Sequence, residues 1–339
     1  MAHDYAKRFF VAMLLPTKMD FSLDEDGIRR FTRYFLNSPF SSRGGLIVNP
    51  EAGEVFYMNR EEKQRAIEIV LEEVDGKLPV FAGVYAPTTS ELVESTRDAK
   101  DLGVNGIFVI PPGGAMDITY NWDPLRYPDV WLDQIKAQDR AVDLPILTHP
   151  IGPPSPKYGI GLPAETAVHI CNAVPNIVGW KMTYSYDGYR RIARALRDSR
   201  PKVGLMGAAA HFFHENLASS QMDGTVCGAW CYAQEPMLAH IEAWESGDLQ
   251  KANAIWEGGL RQLQEWVYDE WGRLHIRYRL ASWLRGLVDN PSMRPPLPSP
   301  TQVEVTACLE LLHRAGLSVR ADLDEQLVRF GWTVAASGM

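Results

Sequence analysis

The stretch Ile177-Val178-Gly179-Trp180-Lys181-Met182-Thr183 decides both the fold and the place of the chemistry. It is short and almost continuously apolar, the pattern of a strand covered on both faces in a parallel sheet. Side chains alternate along a strand, so Gly179, Lys181 and Thr183 share one face while Val178, Trp180 and Met182 share the other. The bulky apolar face suits a layer of helices, which points Lys181 to the inside. A buried ammonium is costly unless it is paired or neutralised, and desolvation lowers a lysine pKa. A neutral amine is a nucleophile, so an interior lysine is a candidate for Schiff-base formation with a carbonyl. A lysine held in a buried ion pair is the other reading that this residue alone allows.

Seven similar apolar runs accompany it: Phe9 to Pro16, Gly45 to Asn49, Pro79 to Tyr85, Gly106 to Ile110, Pro145 to His149, Val203 to Gly207 and Thr225 to Cys231. Amphipathic stretches separate them, with helix starts at Asn59, at Thr89-Ser90-Glu91 and at Asp187-Gly188. Eight strands, each followed by a helix, within roughly 245 residues is the arithmetic of an α/β fold of the (β/α)8 TIM-barrel type. A doubly wound sheet is disfavoured because no G-x-G-x-x-G follows the first run. The barrel is expected over 1–236. From Met237 onward the strands stop, and 237–339 reads as a C-terminal helical region rich in Trp (Trp244, Trp256, Trp266, Trp271, Trp283), with a last helix near Gln302 to Ala315. No flexible linker separates the two, so the helices are expected to pack on the barrel, with their tryptophans in the core or at a subunit interface.

The composition narrows the partners. Among 339 residues, 34 Lys+Arg against 42 Asp+Glu give a formal charge of −8, which disfavours nucleic acid and anionic lipid. A small-molecule substrate is expected. No run approaches the ~18 apolar residues that span a bilayer, so no membrane association is expected. The charged Lys7-Arg8 before Phe9 to Leu15 lacks a small-residue cleavage site and reads as the approach to a first strand, not a signal peptide. Four scattered cysteines (Cys171, Cys227, Cys231, Cys308) fit a reducing cytoplasm.

Five motifs in order carry a resemblance: Gly53-Glu54 after the second run, Ala82-Gly83-Val84 with Thr88-Thr89 at the third, Pro111-Pro112 after the fourth, Val178-Gly179-Trp180-Lys181, and Arg294-Pro295-Pro296-Leu297. Together they resemble the dihydrodipicolinate synthase/N-acetylneuraminate lyase family from about Phe9 to Leu317, with Ser318 to Met339 as an extension. The resemblance implies a class I aldolase barrel with a helical C-terminal region, commonly a homotetramer. It also implies that Lys181 forms a Schiff base with pyruvate or another 2-oxo acid, with no cofactor and no metal. A homo-oligomer, tetramer or dimer, is expected accordingly.

The departures from the family pattern locate the remaining candidates. Where the family has Gly-Thr-Thr-Gly-Glu to hold the substrate carboxylate, this chain has Pro50-Glu51-Ala52-Gly53-Glu54. Glu51 and Ala52 are therefore candidate substrate-binding residues, and Glu51 would repel a carboxylate unless protonated or turned away. Glu54 is expected to be a structural hydrogen-bonding group. Where the family has Tyr-Asn-x-Pro, this chain has Leu147-Thr148-His149-Pro150, which sets Thr148 at the tyrosine position as a candidate substrate-binding residue. Thr148 does not titrate near neutrality, which leaves His149 as the candidate acid/base. The paired aromatics of the family after the fourth strand are replaced by Gly113-Gly114, so the biosynthetic synthase activity itself is not expected. Thr183, beside Lys181, and Tyr120 and Trp122 in the loop from Gly113 to Pro128 are further candidates for binding substrate, the loop also carrying Met116 and Asn121 as an aromatic wall for aryl-substituted 2-oxo acids. Tyr184, Tyr186 and Tyr189 are possible proton donors or packing groups.

Two other functions stay open at the level of sequence. His211, His214 and Glu215 with His149 offer nitrogen and oxygen ligands for a metal-assisted hydrolase or lyase, while Cys227 and Cys231, placed along one strand, are too far apart to share an ion. A noncatalytic barrel that binds a carbonyl ligand through Lys181 is the other.

Overall fold

Eight parallel strands close on themselves, β1 (Phe9–Ala12), β2 (Gly44–Val48), β3 (Val80–Val84), β4 (Gly106–Val109), β5 (Ile146–Thr148), β8 (Ile177–Met182), β9 (Gly204–Gly207) and β10 (Gly224–Cys227), with β1 paired to both β2 and β10. The structure is a computed structural model that describes residues 4–112, 123–199 and 202–333. Helices α1 (Glu25–Leu36) through α8 (Trp230–Glu245) follow the barrel strands in turn. The expected (β/α)8 architecture is therefore present. A two-stranded antiparallel hairpin, β6 (Ile151–Ser155) with β7 (Gly159–Gly161), is inserted after β5 and has no counterpart in the apolar runs.

Alternation sorts the strand residues into two cores. Phe10, Ile47, Phe81, Phe108, Leu147, Met206 and Val226 fill the barrel interior, while Val11, Leu46, Val80, Ile107 and Trp180 face the helix layer. Tyr5 closes the lower end, its ring 5.2 Å from that of Phe81. Gly179 is required by this packing: a Cβ there would lie 2.6 Å from a Leu147 methyl and 2.8 Å from Met206 Cγ.

Several expected boundaries move. The strand ends at Ala12, with the Met13 N–H making a last bond to Ile47 O at 3.1 Å, and Leu14 and Leu15 are buried beyond the sheet. Cys231 lies in α8 rather than on the last strand, with Cys227 at the end of β10. Val178 does not join the helix layer. The pairing of β5 with β8 steps from Ile146–Ile177 to Leu147–Gly179, so Val178 is extra in the register and packs against the interior cluster. The boundary expected at residue 236 falls inside α8, which contains Pro236.

Beyond α8 the chain forms α9 (Leu249–Ile255), α10 (Arg261–Tyr268), α11 (Leu274–Leu284), α12 (Gln302–Arg314) and α13 (Leu323–Arg329), the last in the segment expected to be a tail. Most of α11 is buried, from Ile276 to Leu284 without interruption. That burial on all sides marks a helix enclosed by the rest of the protein, and its first turns reach the C-terminal mouth of the barrel.

Candidate active site

The strand ends and the start of α11 enclose a cavity of about 180 Å³. Lys181, one residue before the end of β8, lines it with Thr183, as the alternation of the strand requires. Among the described residues the Lys181 side chain makes neither an ion pair nor a hydrogen bond; its Nζ lies 5.5 Å from the centroid of the Phe108 ring. Burial pushes its pKa down to about 8, against the opposing pull of Glu51. About a tenth of the amine is therefore neutral at pH 7.

Glu51 enters the cavity from the turn after β2. Pro50 ends the strand, and Glu51–Gly53 form a single 3-10 turn. Glu54 follows in the left-handed region at φ 62°, so the turn sends two carboxylates in opposite directions. Glu51 faces the cavity. Glu54 is fully buried, where Arg279 Nη2 donates to Oε1 at 2.5 Å and the Arg294 backbone N–H donates to Oε2 at 2.9 Å. Arg294 itself reaches Tyr57 O and Glu62. The Gly53-Glu54 and Arg294-Pro295-Pro296 motifs thus meet in space, and Glu54 is a structural anchor as expected.

His149 follows β5 and lines the same cavity, with Nδ1 2.8 Å from Glu51 Oε2. The contact is close but not aligned as a hydrogen bond, since Nδ1 has no hydrogen-bond partner among the described residues; a bare lone pair there would still repel the carboxylate oxygen, which favours the proton on Nδ1 and the lone pair on Nε2. The ring stacks on Phe108, with centroids 5.7 Å apart. Burial holds the His149 pKa below its ordinary value while Glu51 raises it and Lys181 lowers it. Burial alone would raise the Glu51 pKa, but His149, Lys181 and His275 outweigh it and hold the carboxyl at about 2. At neutral pH the site contains a carboxylate, a neutral His149 and a partly charged Lys181.

Ala52 also lines the cavity. Thr148 does not: it is fully buried and its hydroxyl donates to Gly179 O at 3.3 Å. One residue of alternation separates it from His149, which explains the difference. Thr183 Oγ1 is buried and has no hydrogen-bond partner among the described residues. Tyr120, Trp122, Met116 and Asn121 lie outside the described residues. Tyr184 accepts a hydrogen bond from Trp180 Nε1 at 3.0 Å, Tyr189 donates to Gln221 O, and Tyr186 is exposed against Phe212. None of the three lines the cavity.

The sequence reading missed the contribution of the C-terminal helices. Trp271, Leu274, His275 and Tyr278 line the cavity, together with Tyr268 from the end of α10. Their spacing of i, i+3, i+4 and i+7 from Trp271 is one face of a helix, a signal present in the sequence but without an address until α11 is placed over the barrel. Tyr278 reaches its position because Gly228 leaves room: a Cβ there would lie 2.2 Å from the Tyr278 ring. The Tyr278 hydroxyl donates to Tyr268 at 2.5 Å, and Tyr268 donates to Ala208 O at 3.0 Å. Burial lowers the His275 pKa to about 4 and raises that of the Cys227 thiol to about 11, so both are neutral at pH 7.

The residues considered for a metal are not gathered. His214 Nδ1 lies 3.0 Å from His240 Nε2, among Trp244 and Trp256, while His149 sits in the cavity. Among the described residues no group of three or more His, Cys, Asp or Glu is placed to hold a metal ion. Among them, too, no helix is long and apolar enough to cross a membrane.

A closed (β/α)8 barrel with a lysine amine at the C-terminal mouth defines a barrel enzyme of the lyase and aldolase type. Residues 5–314 match the Dihydrodipicolinate synthetase family, and the chain belongs to that family. It is 26% identical over 310 residues to an uncharacterized DapA-like lyase of Thermofilum pendens, covering 90% of this chain and 96% of the relative. To the probable 2-dehydro-3-deoxy-D-pentonate aldolase YjhH of Escherichia coli K12 it is 28% identical over 239 residues, 70% of this chain and 73% of the relative. The structure of Proteus mirabilis N-acetylneuraminate lyase superposes with a TM-score of 0.75 at 19% identity, over 92% of this chain and 99% of that one. At that identity the likeness is one of fold.

Proposed function

We propose that the protein is a Schiff-base lyase in which Lys181 attacks the carbonyl carbon of a small substrate. The observation that carries this reading is the Lys181 amine in the cavity, free of any ion pair among the described residues and with its pKa brought down to about 8. Nζ adds to the carbonyl. The carbonyl oxygen then leaves as water, carrying one proton from Nζ and one from an acid in the site, and an iminium remains. The iminium draws the electron pair of an adjacent carbon–carbon bond as that bond breaks, or of a carbon–hydrogen bond when water is eliminated. His149, close to Glu51, takes the proton that this step releases through its Nε2 and gives it to the enamine carbon after carbon–carbon cleavage, or to the departing hydroxyl when water is eliminated. The Glu51 carboxylate also offsets the charge of the iminium. The 2-oxo acids named by the family resemblance are natural first compounds to try.

All four cysteines are buried and none is in a disulfide, which supports a reducing cytoplasmic location, and we propose a homo-oligomer by likeness to the family. The barrel and the C-terminal helices act as one catalytic unit in this reading, because residues of α10 and α11 complete the cavity.

Borohydride reduction in the presence of a panel of carbonyl compounds tests the proposal. Peptide mass analysis is expected to find the reduced adduct on Lys181. Absence of an adduct with every compound, or undiminished turnover in Lys181→Ala, overturns it.

A further inference from the structure

Hydrogen-bonding capacity around Lys181 is lopsided. Glu51 presents a carboxylate to the cavity, and its position is fixed by the turn at Pro50 and by the approach of His149 Nδ1 at 2.8 Å. With the His149 proton on Nδ1, the nitrogen close to Glu51, the other ring nitrogen offers a lone pair. The nearby phenols have their protons engaged elsewhere, Tyr278 with Tyr268 and Tyr268 with Ala208 O. Thr183 Oγ1 can accept as readily as it donates. Among the described residues no arginine lines the cavity, and its lysine is Lys181 itself, the amine that reacts. Trp271 and His275 add ring N–H groups to the lining, but the fixed charge in it is the negative one of Glu51.

Such a cavity rejects one kind of substrate and welcomes another. A carboxylate attached to the carbonyl carbon would be brought within a few ångströms of Lys181, in a small cavity shared with Glu51. Two like charges there repel with only the single positive charge of Lys181 or its iminium shared between them, and the low polarizability of the surroundings strengthens the repulsion. A hydroxyl or ammonium in that place would instead donate to Glu51 or to His149 Nε2. The depressed pKa of Glu51 supports the same conclusion, since it removes the protonated form that could tolerate an anion.

We infer that the enzyme acts on a neutral or cationic carbonyl compound with a hydroxyl or amino group on the carbon beside the carbonyl, and discriminates against a carboxylate in that position. The inference rests on the Schiff-base reading above and adds the substrate class. The volume of about 180 Å³ holds about six water-sized groups, which fits a short hydroxylated or aminated chain.

Hydroxyacetone and pyruvate share a three-carbon skeleton and differ in this group, so they make the test. The intact protein is titrated with each in the presence of borohydride, and half-saturation of the Lys181 adduct is read by mass. Imine formation with Nα-acetyl-lysine corrects for intrinsic reactivity. Hydroxyacetone is expected to reach half-saturation at a concentration at least tenfold below that of pyruvate. In Glu51→Gln, pyruvate trapping should improve at least tenfold and the preference should largely vanish; Glu51→Ala serves if the amide variant does not fold. Pyruvate trapped as well as hydroxyacetone by the unmutated protein, or a preference unchanged without the Glu51 charge, overturns the inference and leaves the Schiff-base reading standing. Failure of both compounds and of every other carbonyl in the panel overturns both.

Discussion

Glu51 Oε2 stands 2.8 Å from Nδ1 of His149, a contact between the end of β2 and the end of β5 that places a carboxylate behind a neutral imidazole at the mouth of the barrel. The charge of the carboxylate favours the tautomer protonated at Nδ1, leaving Nε2 to accept a proton. It also raises the Lys181 pKa, against the larger effect of burial.

Removal of that charge is expected to move the lysine. In Glu51→Gln the upward pull on Lys181 is lost, so its pKa falls below about 8. The rate of imine trapping, which requires the neutral amine, should rise to its plateau at lower pH than in the unmutated protein. A pH profile of borohydride trapping with a neutral carbonyl checks this, and an unshifted or upward-shifted profile contradicts it.

Lys181 also makes stability depend on pH in a defined direction. Its pKa falls from the ordinary 10.5 of an unfolded chain to about 8 on folding. Between these values the unfolded state binds more protons, so stability rises with pH across the window. Below pH 8 the buried ammonium costs up to about 3 kcal/mol. Lys181→Met should therefore be more stable than the unmutated protein at pH 7, with the advantage shrinking from about pH 8 toward 10.5. Urea unfolding at pH 7 and pH 9.5 measures the difference, and a constant gap would contradict the assignment.

The buried pair of Glu54 and Arg279 predicts a loss of stability separate from the chemistry. Glu54→Gln leaves the Arg279 guanidinium buried without its counter-charge, and is expected to cost about 3–5 kcal/mol in urea unfolding. Neither residue lines the cavity, so the folded fraction should keep its half-saturation for trapping. A variant of unchanged stability would show that the pair contributes little.

How much of this was readable in advance differs from residue to residue. The continuous apolar runs gave the strands, since a parallel strand buried on both faces must be apolar throughout, and alternation within β8 gave Lys181 its inward direction. The same rule failed at Val178, where an extra residue in the register with β5 reverses the face, and it gave no warning that Leu14 and Leu15 would be buried outside the sheet. His149 and Glu51 were legible as candidates because they end strands. Thr148, also expected to bind substrate, does not reach the cavity, because a shift of one residue carries its hydroxyl to Gly179 O.

The sequence by itself determined the barrel, the interior lysine and the family, because each follows from local periodicity or from motifs in order along one chain. Tertiary structure alone decided what surrounds the lysine. The meeting of Glu51 with His149, the union of Glu54 with Arg279 and the closure of the cavity by Trp271, His275 and Tyr278 join segments far apart in the chain. Their charges and protons acquire meaning only at the distances that packing imposes, since both Coulomb energy and desolvation depend on separation and burial rather than on order along the chain.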